Sequence, residues 1–269
     1  MNNEIHIVNM TLDTITSYGV CGYKDVEKHV ELRNKISWFS YYYEKGLRIK
    51  ALVSSNGGYQ GMLEYIPGEF AHRPVNAVGY MFIHCIFTGF KKEFKGKGYA
   101  SEMLKVCIDE AKKQNMLGVS VVTRKGSFMA NKEIFLKNGF EIIETAKPDF
   151  ELLALKFNKN SPFPSFKSEV LSDLNEYKSG LTVFRSPQCP YTEKNVKSII
   201  NSATNHYQLK TNLIDITSSD IAQKTPSPFG TFCIIYNGEV ISHHPISNTR
   251  FENIMNQLLV KKVKKTFHD

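Results

Sequence analysis

The arrangement of apolar and polar positions predicts a first half in which strands surround two main helices. Residues 4–10 have the pattern of a strand, and residues 26–44 carry apolar side chains at helical spacing. Three apolar runs rich in β-branched and aromatic residues follow, separated by stretches that contain glycine or proline. These runs, at 47–53, 61–66 and 78–87, are typical of consecutive antiparallel strands.

The clearest helix is predicted at residues 99–114. Its apolar residues form one broad face, and Lys112 and Lys113 occupy the last turn, where the helix dipole favours cations. The pattern after it predicts a strand at 119–123, a short helix at 130–137, and strands at 140–144 and 151–157.

A polar, proline-rich stretch at residues 158–166 favours neither helix nor strand, and we place a linker at 158–178. The residues beyond it predict a second α/β unit with the element order β-α-β-α-β-β-α. Its predicted elements lie at 181–185, 191–202, 208–216, 219–224, 231–236, 239–243 and 248–263. The sequence therefore predicts two domains, at 1–157 and 179–269.

Composition narrows the class of protein. The 269 residues are 42% hydrophobic and 22% charged, which is typical of globular chains. The formal net charge of +8 favours an anionic ligand, but the basic run at 261–265 lacks interleaved aromatic residues and is interpreted as a solvated helix end. We therefore expect neither a nucleic acid nor a membrane as partner. The five cysteines form no CxxC pair, so we expect free thiols and no metal site. Without an apolar run of membrane-spanning length or the features of a signal peptide, the chain is expected in the cytoplasm.

A glycine-rich turn follows the strand that ends near Thr88. Gly96 and Gly98 lie just before the helix predicted from residue 99, and Lys95 and Lys97 add positive charge. Glycines allow backbone N–H groups to approach an anion closely, and a helix N-terminus adds a partial positive charge. The turn is therefore a candidate pyrophosphate site.

With its surroundings, this turn resembles the GNAT acetyltransferases, over about residues 1–157. The signature of that family is Arg/Gln-x-x-Gly-x-Gly/Ala after the fourth strand. Gly96 and Gly98 match it, whereas Glu93 stands at the first position. The resemblance implies an α/β (α+β) fold around a mixed, mainly antiparallel sheet. It also implies acetyl-CoA as co-substrate, held where the fourth and fifth strands splay apart.

The same resemblance implies positions that contact the co-substrate. The pantetheine arm would lie along the fourth strand, at Ile86, Phe87 and Thr88. The pyrophosphate would meet the backbone amides of the glycine turn, at Lys95, Gly96, Lys97, Gly98, Tyr99 and Ala100. Asn131 and Phe135 of the later short helix would lie beside the cofactor.

One catalytic group of the family has no counterpart. Phe135 stands where many members carry a tyrosine that protonates the leaving thiolate. The reaction could proceed without this acid, because a thiolate is a tolerable leaving group, or Tyr99, Tyr80 or Ser127 could replace it.

Candidate bases interrupt two apolar strands. Acetylation of an amine requires a group that accepts its proton, directly or through water. Glu64 and His84 are our candidates, although each could instead be a hydrogen-bonded residue on the solvent side of its strand. Cys85 is interpreted as a buried core thiol, with an acyl-cysteine route left open. In a predicted loop, Glu69, His72 and Arg73 are either ligands of a polar acceptor or solvated residues.

The second half resembles the thioredoxin and glutaredoxin fold. A predicted strand leads through a short turn to Cys189, which falls at the position of the nucleophilic cysteine. The resolving position holds Thr192, and the proline that normally precedes the third strand falls on Gly230. A helix N-terminus lowers the pKa of a thiol, so Cys189 is a possible reactive thiol. Because the second cysteine is missing, the resemblance favours a role without dithiol chemistry.

The pairing of these two halves resembles the bacterial YoaP-like acetyltransferases, a resemblance also carried by residues 61–67, 83–85 and 230–233. The function it implies is an acetyl-CoA-dependent N-acetyltransferase for a small-molecule amine. Two alternatives remain, namely a monothiol redox protein centred on Cys189 and a module that binds acyl-CoA without turnover.

Overall fold

The chain folds around two main β-sheets. A computed structural model describes residues 4–55, 58–89, 91–171 and 174–266, and the side chains from residue 261 onward lie outside that description. The strands are β1 Ile5–Asn9, β2 Arg48–Ser54, β3 Gly58–Pro67, β4 Val75–Asn76, β5 Tyr80–Thr88, β6 Gly118–Thr123, β7 Glu141–Ala146, β8 Phe150–Lys156, β9 Ser165–Phe166, β10 Leu181–Arg185, β11 Thr211–Asp215, β12 Phe232–Tyr236 and β13 Glu239–Ser242. The helices are α1 Ile15–Tyr18, α2 Val30–Tyr43, α3 Tyr99–Lys113, α4 Glu133–Leu136, α5 Val196–Asn205, α6 Ser219–Ala222 and α7 Asn248–Thr266.

The first sheet has seven strands in the order β1-β2-β3-β5-β6-β8-β7. Every neighbouring pair is antiparallel except β5 and β6, which are parallel. Parallel neighbours require a crossover connection, and α3 supplies it. The mixed, mainly antiparallel sheet predicted for the first half is therefore present.

Two helices of the first half show how the apolar pattern directs packing. In α3, Met103, Leu104, Cys107 and Ala111 are buried, which agrees with the broad apolar face predicted from the sequence. The buried stripe of α2 is apolar or aromatic apart from one position, Lys35, which is fully enclosed. A buried lysine requires a partner of opposite charge, and Lys35 leads into the candidate site.

The second sheet has four strands in the order β11-β10-β12-β13, with β10 and β11 parallel and the other pairs antiparallel. The predicted order β-α-β-α-β-β-α is present. The helix predicted at 191–202 is displaced, however, because Pro190–Thr192 form a 3₁₀ turn and α5 begins at Val196. The Thr192 hydroxyl donates to the carbonyls of Ser186 and Cys189, and such local side-chain bonds compete with helix formation.

The segment predicted as a linker packs against the first half. In it, β9 pairs with β4, which belongs to the loop before β5. Phe166 of β9 joins an apolar cluster that includes Phe150 of the first sheet and Phe232 of the second. The two halves therefore share buried apolar surface, and the domain boundaries at 157 and 179 stay predictions.

Polar contacts also connect the halves. Asn34 donates to the Glu193 carboxylate at 3.0 Å, and the backbone N–H of Ser219 donates to the Tyr42 hydroxyl at 2.8 Å. Within the described part of the chain, no helix combines the length and apolar character that a membrane crossing requires. The basic run at 261–265 belongs to α7, but its side chains fall outside the described residues.

Candidate functional site

The two parallel strands of the first sheet separate part of the way along. β5 pairs with β6 only from Tyr80 to Ile83, and the ladder between them ends there. On the other side of β5 the register with β3 shifts, so that Glu64 lies opposite Cys85, and His84 is the extra residue of a bulge. Because a bulge bends its strand and redirects a side chain, β5 diverges from β6 at this point. We call this opening the splay.

A cavity of about 240 Å³ lies at the splay. Its walls come from β5 and β6, from the loop after β6, and from the second half of the chain. Ile86 and Phe87, both predicted to contact pantetheine, are among the residues that line it, and Thr88 lies at the end of β5. Three thiols, those of Cys21, Cys85 and Cys189, line it as well.

The glycine turn has the geometry predicted for an anion site. Gly96 and Gly98 have φ angles of +69° and +88°, and Gly98 is the N-cap of α3. No atom within 4 Å would meet a Cβ at either glycine, so the left-handed backbone is what requires glycine here. Lys95 and Lys97 are exposed, and so is Glu93. The first N–H groups of a helix have no acceptor within it and are therefore available to an anion.

Neither of the two residues predicted to lie beside the cofactor on the later helix lines the cavity. Phe135 is fully buried and packs edge-on against Phe140, with ring centroids 5.4 Å apart, in the core beneath α3. Apolar burial therefore directs it away from the cavity. Asn131 precedes α4 rather than lying on it, and it is exposed in an open surface hollow beside Lys125 and Asp149.

The three proposed substitutes for the missing acid have different surroundings. Tyr80 is buried, and its hydroxyl donates to the carbonyl of Pro162 at 2.7 Å. Ser127 is exposed, and Tyr99 and Ala100 open α3 in half-buried positions. Of these hydroxyls, that of Tyr80 is already engaged in a structural hydrogen bond.

Glu64 forms the centre of a buried polar network. Lys35 donates to its Oε2 atom, while Oε1 lies 3.1 Å from Nδ1 of His84 and accepts from Nε2 of Gln188 at 2.6 Å. Burial by itself would raise the pKa of Glu64, but the charge of Lys35 and the His84 hydrogen bond outweigh it and hold the pKa at about 2. The carboxylate is therefore ionised at neutral pH.

His84 uses both of its ring nitrogens. Nε2 accepts the backbone N–H of His72 at 2.8 Å, which requires a free lone pair on Nε2 and places the proton on Nδ1, facing Glu64. Burial lowers the pKa of His84 to about 4, so the ring is neutral. The structure thus brings the two predicted bases together, but the His84 lone pair is already occupied.

His72 and Arg73 belong to this network and are buried rather than solvated loop residues. Nε1 of Trp38 donates to Nε2 of His72 at 3.0 Å. The Arg73 guanidinium donates to the carbonyls of His72 and His84 at 2.8 and 3.1 Å. Among the described residues, no carboxylate lies within salt-bridge distance of Arg73. Its guanidinium is therefore held by backbone carbonyls rather than by a direct ion pair.

Cys189 lies at the edge of the same network. It precedes a 3₁₀ turn rather than an α-helix, so the predicted helix dipole is not what acts on its thiol. The pKa of Cys189 is nevertheless lowered, chiefly by a hydrogen bond from the Cys21 thiol. The backbone N–H of Tyr191 and the charge of Lys35 lower it further, and together these effects outweigh burial, which raises it.

Cys21 is presented by a tight turn. Val20 and Tyr23 exchange two backbone hydrogen bonds of 2.9 Å, and Cys21 between them has a φ of +55°, which is uncommon for a residue other than glycine. The Tyr191 hydroxyl donates to the Cys21 carbonyl at 2.9 Å, which fixes the turn to the second half. The hydrogen bond to Cys189 and burial raise the pKa of Cys21, so it carries the shared proton.

Sequence reasoning missed several residues of this site. Lys35 left a signal, because a lysine within the apolar stripe of a helix indicates a buried partner. No sequence pattern indicated Trp38, Gln188 or Cys21, since their roles depend on contacts between distant segments. Among the residues that the structure describes, no group of three histidine, cysteine or acidic side chains is arranged to hold a metal ion.

Known proteins resemble this chain in both halves. Residues 211–253 match the YoaP-like family model. Over 255 residues, which are 93% of this chain and 98% of the relative, it is 28% identical to "Uncharacterized N-acetyltransferase YoaP" of Bacillus subtilis (strain 168).

Solved structures resemble the first half more distantly. The PaiA N-acetyltransferase of Thermoplasma acidophilum, solved with coenzyme A, is 14% identical, covers 57% of this chain and 99% of its own, and has a TM-score of 0.40. The ribosomal-protein-alanine N-acetyltransferase of Brucella melitensis is 16% identical, covers 57% and 99%, and has a TM-score of 0.43. The fold assignment rests instead on the strand order and the splay described above. The chain has a GNAT-like fold, and its near full-length relative is named as an N-acetyltransferase.

Proposed function

We propose that this protein is an acetyl-CoA-dependent N-acetyltransferase that acts on a small-molecule amine in the cytoplasm. The observation that carries the proposal is the splay between β5 and β6, which opens a cavity beside the strand that the glycine turn follows in the chain. A GNAT-like sheet offers the free backbone groups of β5 to the pantetheine arm. The N-terminus of α3, with Lys95 and Lys97, suits the pyrophosphate.

The size of the cavity favours a small acceptor. Its volume of about 240 Å³ is enough for the acetylated end of the co-substrate and little more. The second half forms part of its wall through Cys189 and Tyr191. A folded protein or a long peptide would need that wall to move, whereas a small amine would not.

The buried hydrogen-bond network limits the ability of His84 and Glu64 to accept a proton. For His84 to accept a proton, its Nε2 atom would have to release the His72 amide, and Glu64 already accepts from Lys35 and Gln188. We therefore assign both residues a positioning role. They hold the bulge of β5 and the segment before Cys189 in place.

The second half is proposed to be thioredoxin-like. The strand order β11-β10-β12-β13, the parallel β10 and β11, and the position of Cys189 directly after β10 support this. Gly230, at the expected proline position, has a φ of +75°, and a Cβ there would lie 2.6 Å from the His72 carbonyl oxygen. The turn that clamps substrates in that fold is instead packed against the first half.

A redox function is the second candidate, and one observation favours it. The sequence indicated a single thiol, but Cys21 and Cys189 line the same cavity, and a hydrogen bond from Cys21 lowers the pKa of Cys189. Intact mass measured after treatment with a small-molecule disulfide would reveal a Cys21–Cys189 disulfide by the loss of two hydrogens. If Cys189 formed only mixed disulfides, the pair would not act as a dithiol.

The primary test uses the full chain, because its halves share a core. Calorimetry with acetyl-CoA measures binding, and a panel of amines with free-thiol release as readout measures transfer. We expect acetyl-CoA to bind and at least one amine to accelerate thiol release. An absence of acetyl-CoA binding would exclude both the transferase and the acyl-CoA-binding module. Binding without turnover on any amine would favour the module.

A further inference from the structure

The cavity at the splay contains few groups that could react with a thioester. Among its lining residues, the groups with reactive lone pairs are three thiols, His84 and Tyr191. The His84 nitrogens are both engaged, and the Tyr191 hydroxyl donates to the Cys21 carbonyl. Burial raises the pKa of Cys85 to about 12, so that thiol stays protonated. The hydrogen bond to Cys189 and burial raise the pKa of Cys21 as well, so Cys189 is left as the available nucleophile.

Cys189 is held next to the bulge of β5. Nε2 of Gln188, the preceding residue, donates to Glu64 at 2.6 Å, and Glu64 lies opposite Cys85 just beyond the bulge. On the other side, the Thr192 hydroxyl donates to the Cys189 carbonyl at 2.8 Å. An acetyl-CoA that follows β5 into the splay would end in the cavity that Cys189 lines.

The charge distribution favours an anion at this position. Lys35 and Arg73 are buried cations, whereas Glu64 is the buried anion that contacts Lys35. His72 and His84 are neutral because burial lowers the pKa of both rings. One cation is therefore in excess. Arg73 and Cys189 line the same small recess beside the cavity, so a Cys189 thiolate would balance this charge.

We propose that Cys189 is the first acceptor of the acetyl group, which makes the reaction proceed through an acetyl-cysteine. The inference rests on the proposed function, since it requires acetyl-CoA in the splay. It assigns the catalytic nucleophile to the second half of the chain.

The step balances without a redox partner. Sγ of Cys189 forms a bond to the carbonyl carbon of the thioester, and the bond between that carbon and the CoA sulfur breaks. The CoA sulfur leaves as a thiolate and takes a proton from water, while Cys21, whose pKa is raised, keeps its own proton. An amine later attacks the acetyl carbon, the bond from that carbon to Sγ of Cys189 breaks, and the amine loses its proton to water.

This route needs no free lone pair on either proposed base. A thiolate nucleophile needs no base in the first step, so the engaged lone pairs of Glu64 and His84 are not required there. A thiolate is also a tolerable leaving group, so a phenylalanine at position 135 does not prevent that step.

The experiment incubates the reduced full chain with excess acetyl-CoA and no amine, quenches it in acid, and maps the acetyl group by peptide mass. We expect one acetyl group on Cys189, removable by neutral hydroxylamine as a thioester would be. The label should disappear in Cys189→Ala and persist in Cys85→Ala, a matched loss of another cavity thiol. The wild-type map needs no variant to fold. An unmodified Cys189, or label on Cys85 instead, would overturn the inference.

Calorimetry on the same sample separates this inference from the proposed function. If acetyl-CoA binds and Cys189 stays unlabelled, the acetyl-cysteine is wrong and direct transfer remains. If acetyl-CoA does not bind, both proposals fail. Iodoacetamide supplies a measurement without co-substrate: at neutral pH we expect Cys189 to be alkylated at least about tenfold faster than Cys85. Equal rates would contradict the reactive thiolate.

Discussion

Replacing Glu64 by glutamine tests the energetic basis of the site. Glu64 and Lys35 are both fully enclosed, and the carboxylate also accepts from His84 and Gln188. A glutamine has the same shape and can keep its oxygen toward His84 and Gln188. Its NH₂ group would then face the Lys35 ammonium, so that two donors meet and a buried cation loses its counter-charge.

The magnitude follows from the pKa of Glu64. A decrease from 4.5 to about 2 corresponds to about 3 kcal/mol of preference for the ionised carboxylate. Loss of one partner of a buried ion pair typically costs about 3–5 kcal/mol, which agrees. We therefore expect Glu64→Gln to lower the free energy of unfolding by about 3 kcal/mol and the melting temperature by about 10 °C.

Urea unfolding followed by tryptophan fluorescence measures the change, because Trp38 lies within the network. The double variant Lys35→Met/Glu64→Gln removes both charges and should recover most of the loss. Asp215→Asn is the control, since it breaks the exposed pair with Arg185 and should cost at most about 1 kcal/mol. The reasoning is refuted if Glu64→Gln is as stable as the wild type, or if the double variant is no more stable than Glu64→Gln.

Three further predictions concern other parts of the molecule. Gly230→Ala should lower the melting temperature more than Gly238→Ala. Both glycines have positive φ, but a Cβ would lie 2.6 Å from the nearest atom at Gly230 and 3.7 Å from it at Gly238. Equal shifts in melting temperature would contradict this. Lys97→Glu should weaken acetyl-CoA binding by about fivefold in calorimetry. The control is Lys105→Glu, at an exposed position of α3, which should bind acetyl-CoA nearly as tightly as the wild type. Equal effects would place the pyrophosphate elsewhere. Acid should destabilise the fold, because histidines with lowered pKa stay neutral when folded and protonate near pH 6.5 when unfolded. These histidines are the buried His72 and His84 and the half-buried His243. The free energy of unfolding from urea titrations should fall as pH drops from 6.5 toward 4, by about 1 kcal/mol per buried histidine per pH unit, and a constant value would contradict this.

The sequence predicted the elements better than the contacts between them. The helix at 99–114 and the strands of both sheets were predictable, because an amphipathic face or an apolar run is a local property of the chain. Glu64 and His84 were also identifiable, since polar residues that interrupt buried strands need partners. Cys21 and Gln188 were not, because their partners come from the other half of the chain and no periodicity encodes such pairs.

Local hydrogen bonds explain the displaced helix. Residues after Cys189 have helical character in sequence, but the Thr192 hydroxyl binds two preceding carbonyls and holds a 3₁₀ turn. The burial of His72 and Arg73 was missed for a different reason. Polar residues in a loop usually face water, whereas α2 packs against His72 and Gly230 of the second half lies against both residues.

The apolar cluster shared by the two sheets has a consequence for how this protein could have evolved. Phe150, Phe166 and Phe232 meet at a seam to which the first half, the connecting segment and the second half all contribute. A second half taken from another gene would bring side chains that do not fit this seam and would expose apolar surface. A substitution on one side of the seam is therefore expected to require a compensating one on the other, so that the second half would not exchange as an independent module.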